Sequence, residues 1–376
     1  MGRRRANGEG TITRRRNGTW QAALTLPDAR RKFFYGKTKD EVRQKLVEAV
    51  RSRDVGSFVD SHGITVGEFL DQWIAEVVKP SVRPWTYLGY EVHVRKHIKP
   101  AVGHIRLDRL TPMHVQALMN RKLRDGLSPK SVRYIRGTLR AALNQARRWG
   151  LVAQNAAALA DPPRVERFAI LPFTPDEARR FLAAIQGDRF EALYSVALTM
   201  GLRQAEALGL RWEDVDLDLG TLRVSKQLQR IDGRFQLVEP KTDRSRRVLV
   251  LPAPVADVLR AHRDRQAADR QRAAARWPDW DLVFCMWDGR PVEARTIVRQ
   301  FHLHLERAEL SQRRFHDLRH SCATLLLVQG VSPRVVMDIL GHSEIAMTMN
   351  TYSHVIPELR REAATRMEDL LREAER

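Results

Sequence analysis

Hydrophobic and polar positions divide the chain into three stretches. In "GTITRRRNGTWQAALTL" two strand-like runs flank Asn17-Gly18, a hairpin signal, and "RKFFYGK" supplies a third run. "TKDEVRQKLVEAV" opens on Thr38 and Glu41, spaced as a capping box, and continues as a helix. Residues 65–150 carry helical signals only: a second capping box at Thr65 and Glu68, then N-cap plus proline starts at Thr111-Pro112 and Ser128-Pro129. The helix "SPKSVRYIRGTLRAALNQARRWG" stops at Gly150. Residues 174–376 are mixed, with helices on both sides of the strand-rich patch "TLRVSKQLQRIDGRFQLVEPKTDRSRRVLVLP". Asp232-Gly233 marks one hairpin there, and "KTDRSRR" marks a second turn with a strand on either side. "DRQAADRQRAAAR" reads as a polar surface helix without chemistry. "RDVGSFVDSHG" and "DPPRVERFAILPFTP" read as linkers.

The predicted fold is therefore multidomain. A small α/β module (three-stranded sheet plus helix) spans 1–60 and an all-α domain spans 61–163. A mixed, mainly α domain with a small antiparallel sheet spans 164–376. The rival reading of 1–60 as a solvated basic tail is disfavoured because Trp20, Phe33, Phe34 and Tyr35 agree with the hairpin and the capping box. At the C-terminus Ile356, Leu359, Ala363, Met367 and Leu370 form one apolar stripe on a tail helix. Such a stripe can fold back on its own domain or dock on a neighbouring copy.

One element breaks its pattern. "FHDLRHSCATLLLVQG" ends as a buried helix, with Ala323, Leu326 and Leu327 at helical spacing, yet its first turn carries His316, Asp317, Arg319 and His320. A helix that only packs opens on a small capping residue and then turns apolar. The same domain holds other oddly placed polar groups: Arg203 and Glu206 in "TMGLRQAEALGL", Lys241 in the second turn, His342 in "LGHS" and Tyr352 in "TYSH". No Gly-rich phosphate loop or Ser-His-Asp order is visible, and no carboxylate cluster suits a catalytic metal.

Charge adds a partner. The 376 residues hold 65 Lys and Arg against 45 Asp and Glu, a formal net charge of +20. Residues 1–60 carry net +8, residues 61–163 net +9 and residues 164–376 only +3. A polyanion is the natural partner, with nucleic acid ahead of acidic membranes. Arg133, Arg136, Arg140 and Arg147 recur along one helix face, where like charges repel unless a phosphate relieves them. They are candidate DNA contacts, with Arg14, Arg15 and Arg16 of the first module. No apolar run approaches the roughly 20 residues that span a bilayer. "MGRRRANGEG" lacks the apolar core of a secretory signal. Two cysteines, Cys285 and Cys322, make no disulfide framework or zinc site. These features predict a soluble cytoplasmic protein.

Two arginines can grip the non-bridging oxygens of one phosphodiester and stabilise the charge that grows there during attack. Tyrosine can be the nucleophile, lysine can protonate the leaving oxygen, and histidine can take the tyrosine proton. Each residue alone has a plainer role: Arg203 paired with Glu206, His316 capping its helix, Lys241 in an ordinary turn, His342 and Tyr352 as half-buried polar handles. Their joint occurrence in one basic chain favours the chemical reading.

The stretches "GLRQAEALGL", "PKTDRSRR", "FHDLRHSCATLLLVQGV", "LGHS" and "NTYSHV" resemble the tyrosine recombinase (phage integrase) family over residues 174–360. Residues 65–150 resemble its core-DNA-binding domain, and residues 1–60 the arm-binding module of lambda-integrase-like members. The resemblance implies roles. Arg203 and Arg319 would be the two catalytic arginines, with Glu206 supporting the first. Lys241 would be the general acid for the 5′-hydroxyl. His316 would open the HxxR motif, His342 would stand where the family has His or Trp, and Tyr352 would be the nucleophile. It further implies a homotetramer on double-stranded DNA attachment sites, a Holliday junction, and no cofactor, metal or membrane. It leaves room for a host DNA-bending protein and an excisionase. Two rivals remain open: a type IB topoisomerase, against which "LGHS" and the extra basic module argue, and a non-catalytic DNA-binding regulator.

Overall fold

The computed structural model describes residues 10–25, 31–54, 63–166, 170–240, 243–341 and the isolated positions 364 and 368. Lys241, His342, Tyr352 and the apolar tail positions from 356 to 370 lie outside the described residues. The chain divides into two compact units, residues 1–167 and 168–376.

The first unit holds two separate apolar cores. Strands β1 (Thr11–Arg14), β2 (Trp20–Thr25) and β3 (Arg31–Gly36) form an antiparallel sheet in the order β1-β2-β3. The expected Asn17-Gly18 turn joins β1 to β2 with Gly18 at φ +83°, the left-handed region that glycine enters without strain. Ala22 and Leu24 of β2 are buried against Val42, Leu46 and Ala49 of helix α1 (Lys39–Asp54). Glu41 donates its backbone N–H to the Thr38 hydroxyl, while its carboxylate accepts from the Lys37 N–H, one residue before the usual capping-box partner. Arg14, Arg15 and Arg16 are all exposed, and Arg15 stacks 5.2 Å from the centroid of the Tyr35 ring.

The second core joins helices α2 (Val66–Trp73), α3 (Pro84–Val92), α4 (Pro112–Arg124) and α5 (Pro129–Arg148). Both α2 and α3 run on through a π-helical stretch, Ile74–Val78 and His93–Ile98. Thr65, Thr111 and Ser128 each accept a backbone N–H at the N-cap, as the sequence predicts. Helix α5 buries Val132, Ile135, Leu139, Leu143 and Ala146. Arg133, Arg140 and Arg147 lie exposed, but Arg136 departs from this stripe. Its Nη2 donates to the carbonyls of Ala158 (3.1 Å) and Ala160 (2.7 Å), which end the short helix α6 (Ala156–Leu159).

In the second unit, helices α7 (Pro175–Ala184) and α8 (Glu191–Met200) lead into a one-turn helix α9 (Gln204–Leu208). A three-stranded antiparallel sheet, β4 (Val215–Asp216), β5 (Thr221–Val224) and β8 (Arg247–Val250), is interrupted between β5 and β8 by a separate hairpin, β6 (Gln227–Ile231) with β7 (Arg234–Val238). Asp232 (φ +49°) and Gly233 (φ +76°) make the predicted two-residue turn of that hairpin. Strands do flank "KTDRSRR", but they belong to different sheets: β8 pairs with β5, and β7 with β6. Helices α10 (Ala253–Ala273), α11 (Ala294–Arg307), α12 (Asp317–Val328) and α13 (Pro333–Leu340) complete the unit.

Its core is aromatic. Phe173, Phe181, Tyr194, Phe301 and Phe315 meet edge-on or tilted at centroid distances of 5.3–6.2 Å, and the Tyr194 hydroxyl donates to the Ile297 carbonyl. Such a core clamps α8 against α12, the two helices that deliver the candidate groups. The end of α10 is not the purely polar surface helix that its sequence suggests. Gln266 and Asp269 are buried, and Gln266 receives the Trp212 indole N–H while its amide donates to the Leu282 and Val283 carbonyls. Among the described residues, no helix is long and apolar enough to cross a membrane.

Candidate active site

Helix α8 ends at Met200, and Gly201 follows at φ +61°. A Cβ there would lie 2.5 Å from Leu340 Cδ2 and 3.3 Å from Cys322 Sγ, so only glycine lets the ends of α8 and α13 approach. The chain then restarts as α9 with Arg203 at its N-cap. The break between α8 and α9 is what brings Arg203 to the surface, its side chain 33% exposed.

Glu206, on the first turn of α9, is 1% exposed. Its carboxylate accepts from the Arg203 backbone N–H (3.0 Å), from Arg203 Nη1 (2.6 Å) and from Arg247 Nη2 (3.1 Å). Burial pushes this carboxyl up. The guanidiniums of Arg247 and Arg203, the Arg203 N–H and the charge of Arg319 outweigh that push and hold Glu206 below the ordinary carboxylate value. The plain pairing of Arg203 with Glu206 and a chemical use of Arg203 are thus compatible, since the pair fixes a guanidinium that remains partly open to solvent.

Helix α12 carries the rest. Its N-cap is His316, which makes no side-chain capping bond. Arg319 is 2% exposed and donates Nη1 to the Gly201 carbonyl (2.7 Å) and Nη2 to the Leu340 carbonyl (2.5 Å). It thereby joins the ends of α8 and α13. Asp317 is buried and accepts from the Arg314 backbone and guanidinium. Ser321 accepts the Phe173 N–H and donates to the Asp317 carbonyl. Cys322 is buried, and burial pushes its thiol up to about 12, so it stays an unreactive thiol at neutral pH.

Burial, followed by the charges of Arg319 and Arg314, holds His316 below the ordinary histidine value; Asp317 pulls the other way and Arg203 adds a further downward push. His316 is therefore a neutral proton acceptor near pH 7. The described residues bring Arg203, Glu206, Arg319 and His316 into one cluster. Two further members join it, one of them, His320, already noted as an oddly placed polar residue but given no role. Arg247 had no sequence signal in the motif reading. His320 meets His316 edge-on at a centroid distance of 4.9 Å, and burial, then His316, lowers it to about 4.

That shift has a measurable sign. A histidine that protonates near 4 when folded and near 6.5 when unfolded lets the unfolded chain bind more protons in that window. Its contribution is intact above about pH 6.5 and is lost as pH falls toward 4, by at most about 3 kcal/mol. The expected result is that His320→Asn flattens the fall in melting temperature between pH 6.5 and 4 relative to the unchanged chain. Parallel curves would show that His320 does not titrate as its burial requires.

Comparison with known proteins adds the following. The sequence profile described as the phage integrase family matches residues 172–367. A second, described as a phage integrase N-terminal SAM-like domain, matches residues 65–123. A "Tyrosine recombinase XerC-like" protein of Caldanaerobacter subterraneus subsp. tengcongensis is 31% identical over 359 residues, covering 90% of this chain and 92% of that one. An "Integrase" of Saccharopolyspora erythraea is 29% identical and covers 97% of each chain. Among solved structures, a Tn1549 transposon integrase in complex with transposon right end DNA superposes with a TM-score of 0.68 at 24% identity, over 81% of this chain and all of that one.

Proposed function

The chain belongs to the phage integrase family of tyrosine recombinases, and from that premise we propose how its own residues carry out site-specific DNA recombination. The Tyr352 phenol oxygen attacks a phosphodiester, the bond to the 5′-oxygen breaks, and a 3′-phosphotyrosyl link forms. His316 takes the phenol proton, and Lys241 gives a proton to the leaving 5′-oxygen. Arg203 and Arg319 stabilise charge on the non-bridging oxygens, with His342 beside them. The 5′-hydroxyl of a second duplex then attacks the phosphotyrosyl, which releases the tyrosine and yields a Holliday junction. The protein–DNA bond keeps the energy of the phosphodiester it replaces, so no high-energy cofactor enters. The observation that carries this reading is the cluster of Arg203, Glu206, Arg319 and a neutral His316.

The segments 1–60, 61–163 and 164–376 take arm-site binding, core-site binding and catalysis. Residues 1–163 hold most of the excess positive charge, which suits phosphate contact through Arg14, Arg15, Arg16, Arg133, Arg140 and Arg147. Arg136 supports the α6 carbonyls on the same face. Two duplexes present four strands to be cut, so four copies assemble on attachment-site DNA, and a host DNA-bending protein and an excisionase set direction. The setting is the bacterial cytoplasm, and the gene lies on an integrating phage or mobile element.

The test starts from the DNA flanking the gene. A short direct repeat beside a tRNA gene locates the attachment site, and the junction of the circularised element is amplified. A nicked duplex of that junction should trap the full chain as a covalent adduct on a denaturing gel. Equal cleavage of unrelated plasmid would favour the topoisomerase-like alternative. On the same duplex Lys241→Ala should slow cleavage by about 10²–10³-fold. With sulfur replacing the 5′-oxygen, a leaving atom that needs little protonation, most of that loss should vanish. Equal losses on both substrates would exclude lysine as the general acid.

A further inference from the structure

Arg247 lies at the start of β8, and its side chain is 7% exposed. Its guanidinium holds three separate points. Nη2 donates to Glu206 (3.1 Å), Nε donates to the Ile339 carbonyl (2.6 Å), and Nη1 donates to the Ser245 carbonyl (3.1 Å). Ile339 stands in the last turn of α13, where helix carbonyls have no partner within the helix. The next carbonyl, that of Leu340, is held by Arg319, whose other Nη reaches Gly201, two residues before Arg203. A closed circuit results: Arg203 to Glu206, Glu206 to Arg247, Arg247 and Arg319 to the end of α13, and Arg319 back to the Arg203 loop. Gly341 seals it at φ +64°, since a Cβ there would lie 3.0 Å from the Arg244 carbonyl and 3.2 Å from Arg247 Nη1.

We propose that Arg247 is a positioning residue for strand cleavage: by holding Glu206 and the C-terminal carbonyl of α13 together, it fixes the Arg203 guanidinium relative to the helix end that the chain leaves toward His342 and Tyr352. The inference rests on the recombinase reading above. An arginine that only neutralised Glu206 would need one contact, and a lysine could supply it. The planar fork is what reaches a carboxylate and two backbone carbonyls at once. Arg247 itself is buried and acts through Arg203 and α13.

The experiment uses the full chain and the nicked junction duplex. Adduct formation by the unchanged chain is the control, and its failure would count against the recombinase reading, not against Arg247. With that control in hand, Arg247→Met should slow adduct formation by about 10²-fold, the scale on which misplaced groups lower rates, while DNA affinity stays within about twofold. Arg247→Lys keeps the charge but not the fork. It should stay folded, with a lower melting temperature, and lose about tenfold per folded molecule, which keeps the test open should the methionine variant not fold. A cycle with Glu206→Leu separates positioning from stability. Glu206→Leu leaves Arg247 buried without its carboxylate, so adding Arg247→Met should raise the melting temperature. It should not restore cleavage, and the second substitution should slow it by less than about threefold, because both act through Arg203. A folded lysine variant that cleaves at the full rate would overturn the proposal. So would cleavage losses that multiply across the cycle, or that follow the folded fraction.

Discussion

Tyr352→Phe should remove the covalent protein–DNA adduct and leave DNA binding intact. The substitution deletes one oxygen and keeps the ring, so net charge at neutral pH is unchanged. Covalent catalysis through a phenol has no substitute in a phenyl ring, and the loss is expected to reach the detection limit of a denaturing gel. Affinity for the junction duplex should stay within about twofold, because a neutral phenol neutralises no phosphate and releases no counterion. Persistent adduct on the nicked duplex would identify a different nucleophile. Weakened binding of the same size as the lost cleavage would mean that Tyr352 serves the complex and not the bond. A non-catalytic regulator, by contrast, would act in the phenylalanine form as it does unchanged.

The site was partly legible because some of its logic is local. Arg203 and Glu206 lie three apart and meet across one helical turn. His316 and Arg319 are likewise neighbours on the first turn of α12, and their oddity against the apolar turns behind them was visible in the order of residues alone. The caps at Thr65, Thr111 and Ser128 and the turn at Asp232-Gly233 are of the same kind: a side chain and the backbone it serves lie within three residues. Arg247 escaped because two of its three partners are 41 and 92 residues away in the sequence. Period two places Arg247 on the face of Leu249, which the structure buries while Val248 and Val250 stay exposed; three apolar residues in a row do not announce which face is inward. An inward arginine on a short strand requires a buried anion or carbonyls, and the sequence contained Glu206. The end of α10 misled for the opposite reason. Gln266 and Asp269 look like solvated positions among alanines and arginines, but distant carbonyls and Arg189 supply their partners. Arg136 shows the same limit, since nothing in the spacing of the arginine stripe distinguishes a residue that caps α6 from one that faces outward.

Arg319→Ala should damage both stability and chemistry, and the two losses can be measured apart. The guanidinium is buried and is donor to two backbone carbonyls that belong to different helix ends. A buried acceptor left without its donor costs about 1–3 kcal/mol, so two of them, with the space the side chain vacates, should cost on the order of 2–5 kcal/mol. For a domain of this size that corresponds to a fall of roughly 5–15 °C in melting temperature. Arg319→Lys offers one ammonium in place of a planar fork and cannot reach both carbonyls in the same geometry, so it should recover only part of this loss. Cleavage should fall by about 10²–10³-fold in the alanine variant even when assayed well below its melting temperature. That is the range lost when a donor to developing charge is removed. The decisive measurement is the rate of adduct formation per folded molecule in the cold. If folded Arg319→Ala cleaves at the full rate, Arg319 only ties α8 to α13, and Arg203 must stabilise the phosphate without it. If the melting temperature does not move, the two carbonyl bonds contribute nothing to the fold, and the circuit through α13 loses one of its two guanidiniums.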